Sequence, residues 1–350
     1  MPSFKADYLR NLVVKLFEKI GAGHDVAQTV ADNIIENCLY GHDSHGMALV
    51  ARFIKDIEIG KIKPDSRTEI VRKSPCALWI DGHRGFGQVT MTEAVNAAVK
   101  TSKDSGLCAV TVTNCNHIGI LWSFARMIAE KAMVGAIWCV SGPEGGGGIV
   151  APYGGKGRAI GTNPIAVGIP AGNMKPLVLD ISTSAVAGGK VVMHAQQNKK
   201  IPLGWLLDEQ GKPTTDPNEL MKKDGGVAGA LLPMAGHKGF GLGLVAEILG
   251  GILTGYGASH MPDYREGQGV FIVVVNVETF ITLNEFGKQV DGLLKHVKAV
   301  PADSEDQAVL IPGELEYIAR EQRERDGIPV NDAVWDDIKA LANKLKVTLE

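Results

Sequence analysis

The sequence predicts an α/β protein with helical segments at both ends of the chain. Its 350 residues are 45% hydrophobic and 21% charged, the composition of a globular protein with a sizeable buried core. Helical patterns fill residues 1–75 and return in residues 301–350, whereas residues 76–300 alternate short β-rich runs with helical or glycine-rich segments. We therefore expect an α/β core over residues 76–300 and a helical domain in which the C-terminal segment packs with the N-terminal helices.

Local patterns justify the individual elements. Helices are predicted over residues 5–20, 26–40 and 44–59, and each ends at a glycine, the residue that tolerates left-handed backbone angles. The β-rich runs that follow include CALWIDG, LCAVTVT, VGAIWCV, PLVLDI and GVFIVVVNV. In the tail, DAVWDDIKALANKL carries an apolar stripe with a charged outer face, which predicts a helix over residues 332–345.

Charge and hydropathy exclude several classes of partner. Lys and Arg number 36 against 39 Asp and Glu, giving a net charge of −3 without a block of like charges, so we expect neither nucleic-acid nor membrane binding. The apolar stretch 239–258 contains Glu247 and recurring glycines, which favour a buried core helix over a membrane span. Charges interrupt the N-terminal apolar positions, unlike in a signal peptide, so we expect a cytoplasmic protein.

The usual signatures of nucleotide and metal sites are missing. GKGRAIG and GFGLGL do not meet the GxGxxG spacing, and no GxxxxGK is followed by Ser or Thr. A dinucleotide, if one binds, must therefore bind on a different scaffold. His42 and His45 form an HxxH pair, but no third ligand lies at short spacing, so we expect no metal site.

The stretch GHDSHGM at residues 41–47 has two interpretations. If Asp43 caps the helix, Ser44 and His45 lie in its first turn, where the positive end of the helix dipole disfavours an imidazolium. With a carboxylate partner, such a histidine suits general acid/base catalysis near neutral pH. The alternative is an ordinary helix cap with a solvated histidine.

Three further polar residues lie in apolar or glycine-rich surroundings. Asp180 ends the strand-like run PLVLD, His117 follows LCAVTVT, and Lys238 precedes the apolar helix. Each alone is more simply explained as a structural residue. Together with His45 they form a possible site with an acid/base candidate, a carboxylate, a second imidazole and a lysine able to bind an anion.

A series of motifs resembles one enzyme family nearly end to end. In order they are GHDSHGM, DGHRGFGQV, NHIG, GTNPIAVGIP, LVLDISTSAVAGGKV, HKGFGL and LIPGE. The sequence is similar in these to the malate/L-lactate dehydrogenase family, which is distinct from the Rossmann lactate and malate dehydrogenases, and the nearest branch is the hydroxycarboxylate dehydrogenases. The resemblance implies a non-Rossmann fold with a mixed β-sheet core, a homodimer, and hydride exchange between NAD, with NADP as the alternative, and C2 of a 2-hydroxy or 2-oxo acid.

The resemblance also implies roles for individual residues. His45 matches the proton donor and acceptor, with Ser44 and Asp180 completing its relay. The matching substrate-binding positions are His117, Ile118 and Gly119. Arg52 is a further substrate-binding candidate because it lies further along the same face of the predicted helix. The cofactor-binding positions are Ile181, Ser182, Thr183, Lys238, Ile311, Pro312, Gly313 and Glu314. Residues 76–300 would then bind both cofactor and substrate.

One departure from the family pattern bears on the substrate. Several members carry arginine four residues after the motif histidine, where this sequence has Leu49. We expect Leu49 to enlarge the pocket and favour a bulkier or aromatic 2-oxo acid over malate, with Arg52 or Arg126 meeting the substrate carboxylate. Two alternatives stay open, a reductase of cyclic imino acids such as piperideine- or pyrroline-2-carboxylate, and a non-catalytic relative that only binds a metabolite.

Overall fold

The computed structural model describes residues 1–140, 147–222, 226–261, 264, 267–303 and 308–349. The helices within these residues are α1 (Ala6–Lys19), α2 (His24–Leu39), α3 (Ala48–Glu58), α4 (Gly87–Ser105), α5 (Leu121–Glu130), α6 (Gly188–Gln196), α7 (His237–Ala246), α8 (Leu283–Lys298), α9 (Glu314–Asp326) and α10 (Asp332–Leu345). The strands are β1 (Ser3–Phe4), β2 (Glu69–Ser74), β3 (Ala77–Asp81), β4 (Leu107–Cys115), β5 (Met133–Val140), β6 (Ile165–Ile169), β7 (Leu177–Ile181), β8 (Leu206–Leu207), β9 (Pro213–Thr214), β10 (Ala230–Leu231), β11 (Gln268–Asn276) and β12 (Ile328–Pro329).

A seven-stranded mixed sheet in the order β2-β3-β4-β11-β5-β6-β7 forms the centre of the fold. Only β3 and β4 pair in parallel among its described strands, whereas a Rossmann sheet is mostly parallel. Val110, Val112, Ile272 and Val274 place their β-branched side chains in the core under α4 and α5, which cover one face. The predicted α/β, non-Rossmann mixed sheet is confirmed.

The two ends of the chain meet in a helical domain. The short strand β1 pairs antiparallel with β12, and α10 packs on α1 and α3. Phe17, Phe53 and Ile338 are buried in one cluster with residues from both ends. Burying each such side chain contributes about 1.5–3 kcal/mol, so the C-terminal segment is tied to the N-terminal helices by its core rather than by the strand pair.

The start of the third helix differs from the prediction. Residues Asp43–His45 form a separate 3₁₀ turn, and Gly46 after it has a non-helical backbone conformation. The helix α3 therefore begins only at Ala48. The carboxylate of Asp43 does not cap a helix, because it pairs with Arg323 of α9. His45 is therefore not in the first turn of α3, and the helix-dipole argument for its neutral state was wrong.

The apolar stretch after Gly236 also differs from the prediction of a fully buried helix. Here α7 continues into a π-helical segment, Glu247–Ile252, and its glycine face packs against the sheet. The opposite face leaves Leu242, Val245, Ile248 and Leu253 exposed. Within the described residues, none of the helices is long and apolar enough to cross a membrane.

Candidate active site

A cavity of about 430 Å³ lies between α3 of the helical domain and the sheet domain. Residues from both domains line it, so packing of the chain ends against the core creates the site. The lining residues are Arg52, Asp56, Lys61, Asn116, His117, Ile149, Thr162, Gly188, Gly189, Val192, Leu220, Met221, Val227, Gly267 and Gln268.

Two histidines far apart in the sequence stack at this cavity. The rings of His45 and His117 lie 5.5 Å apart between centroids with an interplanar angle of 23°. Nδ1 of His45 lies 3.0 Å from the Ser44 hydroxyl, and Nδ1 of His117 accepts the N–H of Gly119 at 3.2 Å. In the neutral His117 ring the proton must therefore be on Nε2, which makes that atom a hydrogen-bond donor.

Both imidazoles are held neutral by their surroundings. Burial lowers the pKa of His45 to about 4, helped by the charges of His42 and Arg52. Burial likewise lowers the pKa of His117 to about 3, helped by His45, Arg52 and Lys61. Desolvation and neighbouring charges, rather than a helix dipole, therefore favour the neutral form of His45.

A buried polar cluster holds the backbone at His45 and lies next to Gly119. Asn37, which is fully buried, donates to the carbonyl of His45 at 3.0 Å and accepts from the Ser123 hydroxyl at 2.8 Å. Gly119 has φ +87°, and a Cβ there would lie 3.2 Å from the Asn37 amide nitrogen. Only glycine accommodates this turn without strain, and it is the same Gly119 that orients His117.

The wall of the cavity next to the histidines carries two cations and one carboxylate. Arg52 Nε lies 3.7 Å and Lys61 Nζ lies 3.8 Å from the oxygens of Asp56. Leu49 does not share this wall, because it is buried in the helical core with Phe53. Arg126 is also elsewhere, buried and paired with carboxylates on both sides. The expectations that Leu49 enlarges the pocket and that Arg126 reaches the substrate are therefore not supported.

The histidine whose charge acts on Asp180 is His42, whereas the prediction named His45. Its Oδ2 accepts the backbone N–H of Trp122 at 2.8 Å, and burial raises its pKa to about 6. The charge of His42 opposes that rise, and His42 pairs with Glu316 at 3.5 Å. In the described part of the chain no hydrogen bond or ion pair joins Asp180 to His45. The charge of His42 affects the pKa of both Asp180 and His45.

The predicted cofactor positions form two groups around β7. Ile181, Ser182 and Thr183 follow the strand, and both the N–H and the hydroxyl of Thr183 donate to the carbonyl of Thr162, a cavity residue. Lys238 is exposed in the first turn of α7. Its neighbour Gly239 packs so closely on Thr183 that a Cβ would lie 2.6 Å from the Thr183 carbonyl oxygen.

The second group packs on the other side of β7. The carbonyl of Pro312 accepts the N–H of Val178, and Gly313 has φ +97°. The carboxylate of Glu314 accepts the N–H of Ile311 and pairs with Lys298. These contacts give Ile311–Glu314 a structural role, and its binding of a cofactor stays a prediction.

Several site residues escaped the sequence reasoning. Lys61 and Asp56 looked like ordinary surface charges, and Asn116 and Gln268 lie at strand ends that converge only in the fold. Gln268 accepts the N–H of Ile118 at 2.8 Å, which holds the predicted Ile118 in the buried wall. The position of Asn116 next to His117 was the one local signal available. Among the described residues, no group of three or more His, Cys, Asp or Glu side chains could hold a metal ion.

Comparisons with known proteins agree with one another. A family model described as malate/L-lactate dehydrogenase matches residues 4–339. The chain is 34% identical to a malate dehydrogenase of Pyrococcus horikoshii, over 97% of this chain and 95% of that protein. It is 32% identical to hydroxycarboxylate dehydrogenase B of Escherichia coli K12, over 98% and 94%. The solved sulfolactate dehydrogenase of Methanocaldococcus jannaschii superimposes with a TM-score of 0.87 at 31% identity, over 99% of this chain and 98% of that one.

Proposed function

Because the chain belongs to the malate/L-lactate dehydrogenase family, we propose that it transfers hydride between a nicotinamide cofactor and C2 of a 2-hydroxy or 2-oxo acid, with His45 as proton donor and acceptor. The observation that carries the proposal is the pair of stacked, neutral imidazoles beside a wall with Arg52 and Lys61. Such a wall attracts a carboxylate, and a polarised ketone oxygen can then meet the histidines.

The residues present fit a dinucleotide. Gly188 and Gly189 line the cavity at the first turn of α6, and a Cβ at Gly189 would meet nothing within 4 Å, which leaves room for a phosphate at a helix N-terminus. Thr162 and the Ile181–Thr183 segment adjoin the same cavity and would hold the rest of the cofactor, together with Lys238. When bound, the cofactor supplies or accepts the hydride. NAD is our preferred cofactor, and NADP is the alternative.

The chain's own residues then divide the remaining work. Arg52 and Lys61 bind the substrate carboxylate and orient C2. In the reduction, His45 donates its proton to the developing alkoxide, while the Nε2–H of His117 donates a hydrogen bond to the same region. Ser44 orients the His45 ring through Nδ1. Asp180 would contribute through the charge of His42, which affects the pKa of both Asp180 and His45, because no hydrogen bond or ion pair joins those two among the described residues.

Single histidine substitutions test the assignment. We expect His45→Asn to lose at least about 100-fold in turnover while the quenching of protein fluorescence by NADH is retained, because general acid catalysis contributes roughly 10²–10⁴-fold. His296→Asn is the matched control, since His296 is exposed on α8, away from the cavity. Near-normal turnover in His45→Asn would refute the role of His45.

The substrate panel distinguishes the alternatives. Purified protein is incubated with NADH or NADPH and with 2-oxo acids or a cyclic imino acid. Oxidation of the cofactor is followed as the loss of absorbance of the reduced nicotinamide. Oxidation of the cofactor with 2-oxo acids supports the proposal, preference for the imine supports the reductase, and binding without turnover supports a non-catalytic relative.

We also propose a homodimer that buries the exposed apolar face of α7 and the π-helical segment. Ile248 is 52% exposed and Leu253 is 53% exposed, on a surface that includes Leu242 and Val245. Contiguous apolar patches of this kind are typical of subunit interfaces. Light scattering coupled to size exclusion should give twice the monomer mass, and Ile248→Glu should reduce it. The predicted cytoplasmic location stays a prediction.

A further inference from the structure

The cavity wall contains an acidic residue where an anionic substrate is proposed to bind. Asp56 lies on α3 one turn after Arg52, is only 8% exposed, and is a lining residue of the cavity. Its backbone carbonyl accepts the N–H groups of Lys61 and Ile62, so the residue is held firmly at the end of the helix. A buried carboxylate at an anion site makes the free energy of binding an anionic substrate less favourable. Its presence in this wall therefore calls for an explanation.

The charges of the wall determine how many anionic groups it can accept. Arg52 and Lys61 contribute two positive charges and Asp56 one negative charge, and both cations lie within 4 Å of the Asp56 oxygens. Among the described side chains that line the cavity, these three charges sum to +1, which matches one carboxylate. A second acidic group on the same small substrate would approach Asp56, and the described lining residues offer it no cation besides Arg52 and Lys61.

We propose that Asp56 is a specificity-determining residue that makes the cavity favour 2-oxo acids with one carboxylate over those with a second acidic group. The inference rests on the proposed function and assigns its substrate class. It differs from what the names of two similar proteins indicate, because malate and sulfolactate each carry two acidic groups. The selection depends on charge rather than on pocket size, since Leu49 lies outside the cavity wall.

A positioning role for Asp56 would give a different result from a charge filter. If Asp56 only orients Arg52 and Lys61, its loss should weaken binding of every carboxylate equally. If it repels a second anionic group, its loss should change the ratio between substrates. Oxaloacetate and 2-oxobutyrate make this comparison clean, because they have the same carbon chain and differ by a carboxylate in place of a terminal methyl group.

The experiment measures kcat/KM for these two substrates in wild-type protein, Asp56→Asn and Glu58→Gln. Glu58→Gln makes the same charge change on the same helix, but its side chain is exposed and pairs with Lys344. Wild type should prefer 2-oxobutyrate. Asp56→Asn should raise the oxaloacetate/2-oxobutyrate ratio about tenfold, the effect of removing a unit charge about 6 Å away at an effective dielectric constant of about 40. Glu58→Gln should leave the ratio within about twofold.

A second variant covers the case in which Asp56→Asn folds poorly. Lys61→Gln reduces the net charge of the wall to zero, so kcat/KM should fall for both substrates and more for oxaloacetate. A wild-type preference for oxaloacetate, or a ratio unchanged in both cavity variants, overturns the inference while cofactor oxidation itself still supports the proposed function. Absence of turnover with any 2-oxo acid would instead contradict the proposed function.

Discussion

The pH dependence of the reduction should differ between the free protein and the substrate complex. In the free protein burial lowers the pKa of His45 to about 4, with help from His42 and Arg52. At pH 7 about one molecule in 1,000 then carries the proton that the reduction needs, since each pH unit above the pKa lowers the fraction about tenfold. Substrate binding must therefore restore the proton.

The magnitude of that restoration follows from Coulomb's law. A substrate carboxylate held by Arg52 about 4–5 Å from the imidazole interacts with an imidazolium by roughly 3–4 kcal/mol at an effective dielectric constant of about 20. Since one pKa unit corresponds to about 1.4 kcal/mol, the pKa of His45 should rise by about 2–3 units in the complex. An anionic substrate thus brings His45 from about 4 to roughly 6.5.

Initial rates of cofactor oxidation between about pH 5 and 9 test this difference. The profile of kcat/KM reports the free protein and should fall throughout the range, whereas kcat reports the complex and should be level up to about pH 6.5. Arg52→Met should raise the pKa of free His45 and increase KM together, because Arg52 both depresses that pKa and lies on the binding wall. One common inflection near pH 6.5 in both profiles would refute the reasoning.

Three further substitutions test residues that are proposed to stabilise or orient the site. Gly46→Ala places a Cβ 2.2 Å from Cys38 Sγ and should destabilise the protein by about 1–3 kcal/mol in urea melts, with Cys38→Ala in the same chain restoring much of it. Asn37→Ala removes the donor to His45 O and should cost about 1–3 kcal/mol with a lower kcat, and an unchanged kcat would argue against a positioning role. Burial raises the pKa of Asp180 to about 6, so its ionised form destabilises the fold increasingly from about pH 4 to above pH 6. Asp180→Asn should therefore stabilise the protein by about 1–2 kcal/mol more at pH 8 than at pH 4, after allowance for its partial exposure, and equal effects at both pH values would contradict this.

The general architecture could be predicted from the sequence because it depends on local periodicity. Short β-rich runs identified the central strands, and the apolar stripe of 332–345 identified a helix that packs on the N-terminal helices. The strand order could not be predicted, since β11 inserts between β4 and β5 from more than 120 residues away. Pairing at that separation depends on tertiary packing, and so does the parallel contact of β3 with β4.

The site was predictable in its residue types but not in its contacts. The motifs identified His45, His117 and Asp180, and the structure stacks the first two. The conformation of the turn after α2 could not be predicted: Gly41 there has a φ of +88°, and His42 pairs with Glu316. Asp43 pairs with Arg323, 280 residues away in the sequence, instead of capping a helix as expected. No local rule contains that information.

The site's electrostatics connect the two proposals. Burial is the main cause of the lowered pKa of His45 and of His117, and Arg52 adds to it for both rings and Lys61 for His117, so these imidazoles are deprotonated in the free protein. The same cations bind the anion that reverses this effect, so protonation is coupled to occupancy by a carboxylate. Asp56 limits the positive charge available for that purpose. A wall with more positive charge would bind diacids better but would oppose the imidazolium more strongly. The charge of +1 carried by the described side chains Arg52, Lys61 and Asp56 balances these two requirements for a single carboxylate.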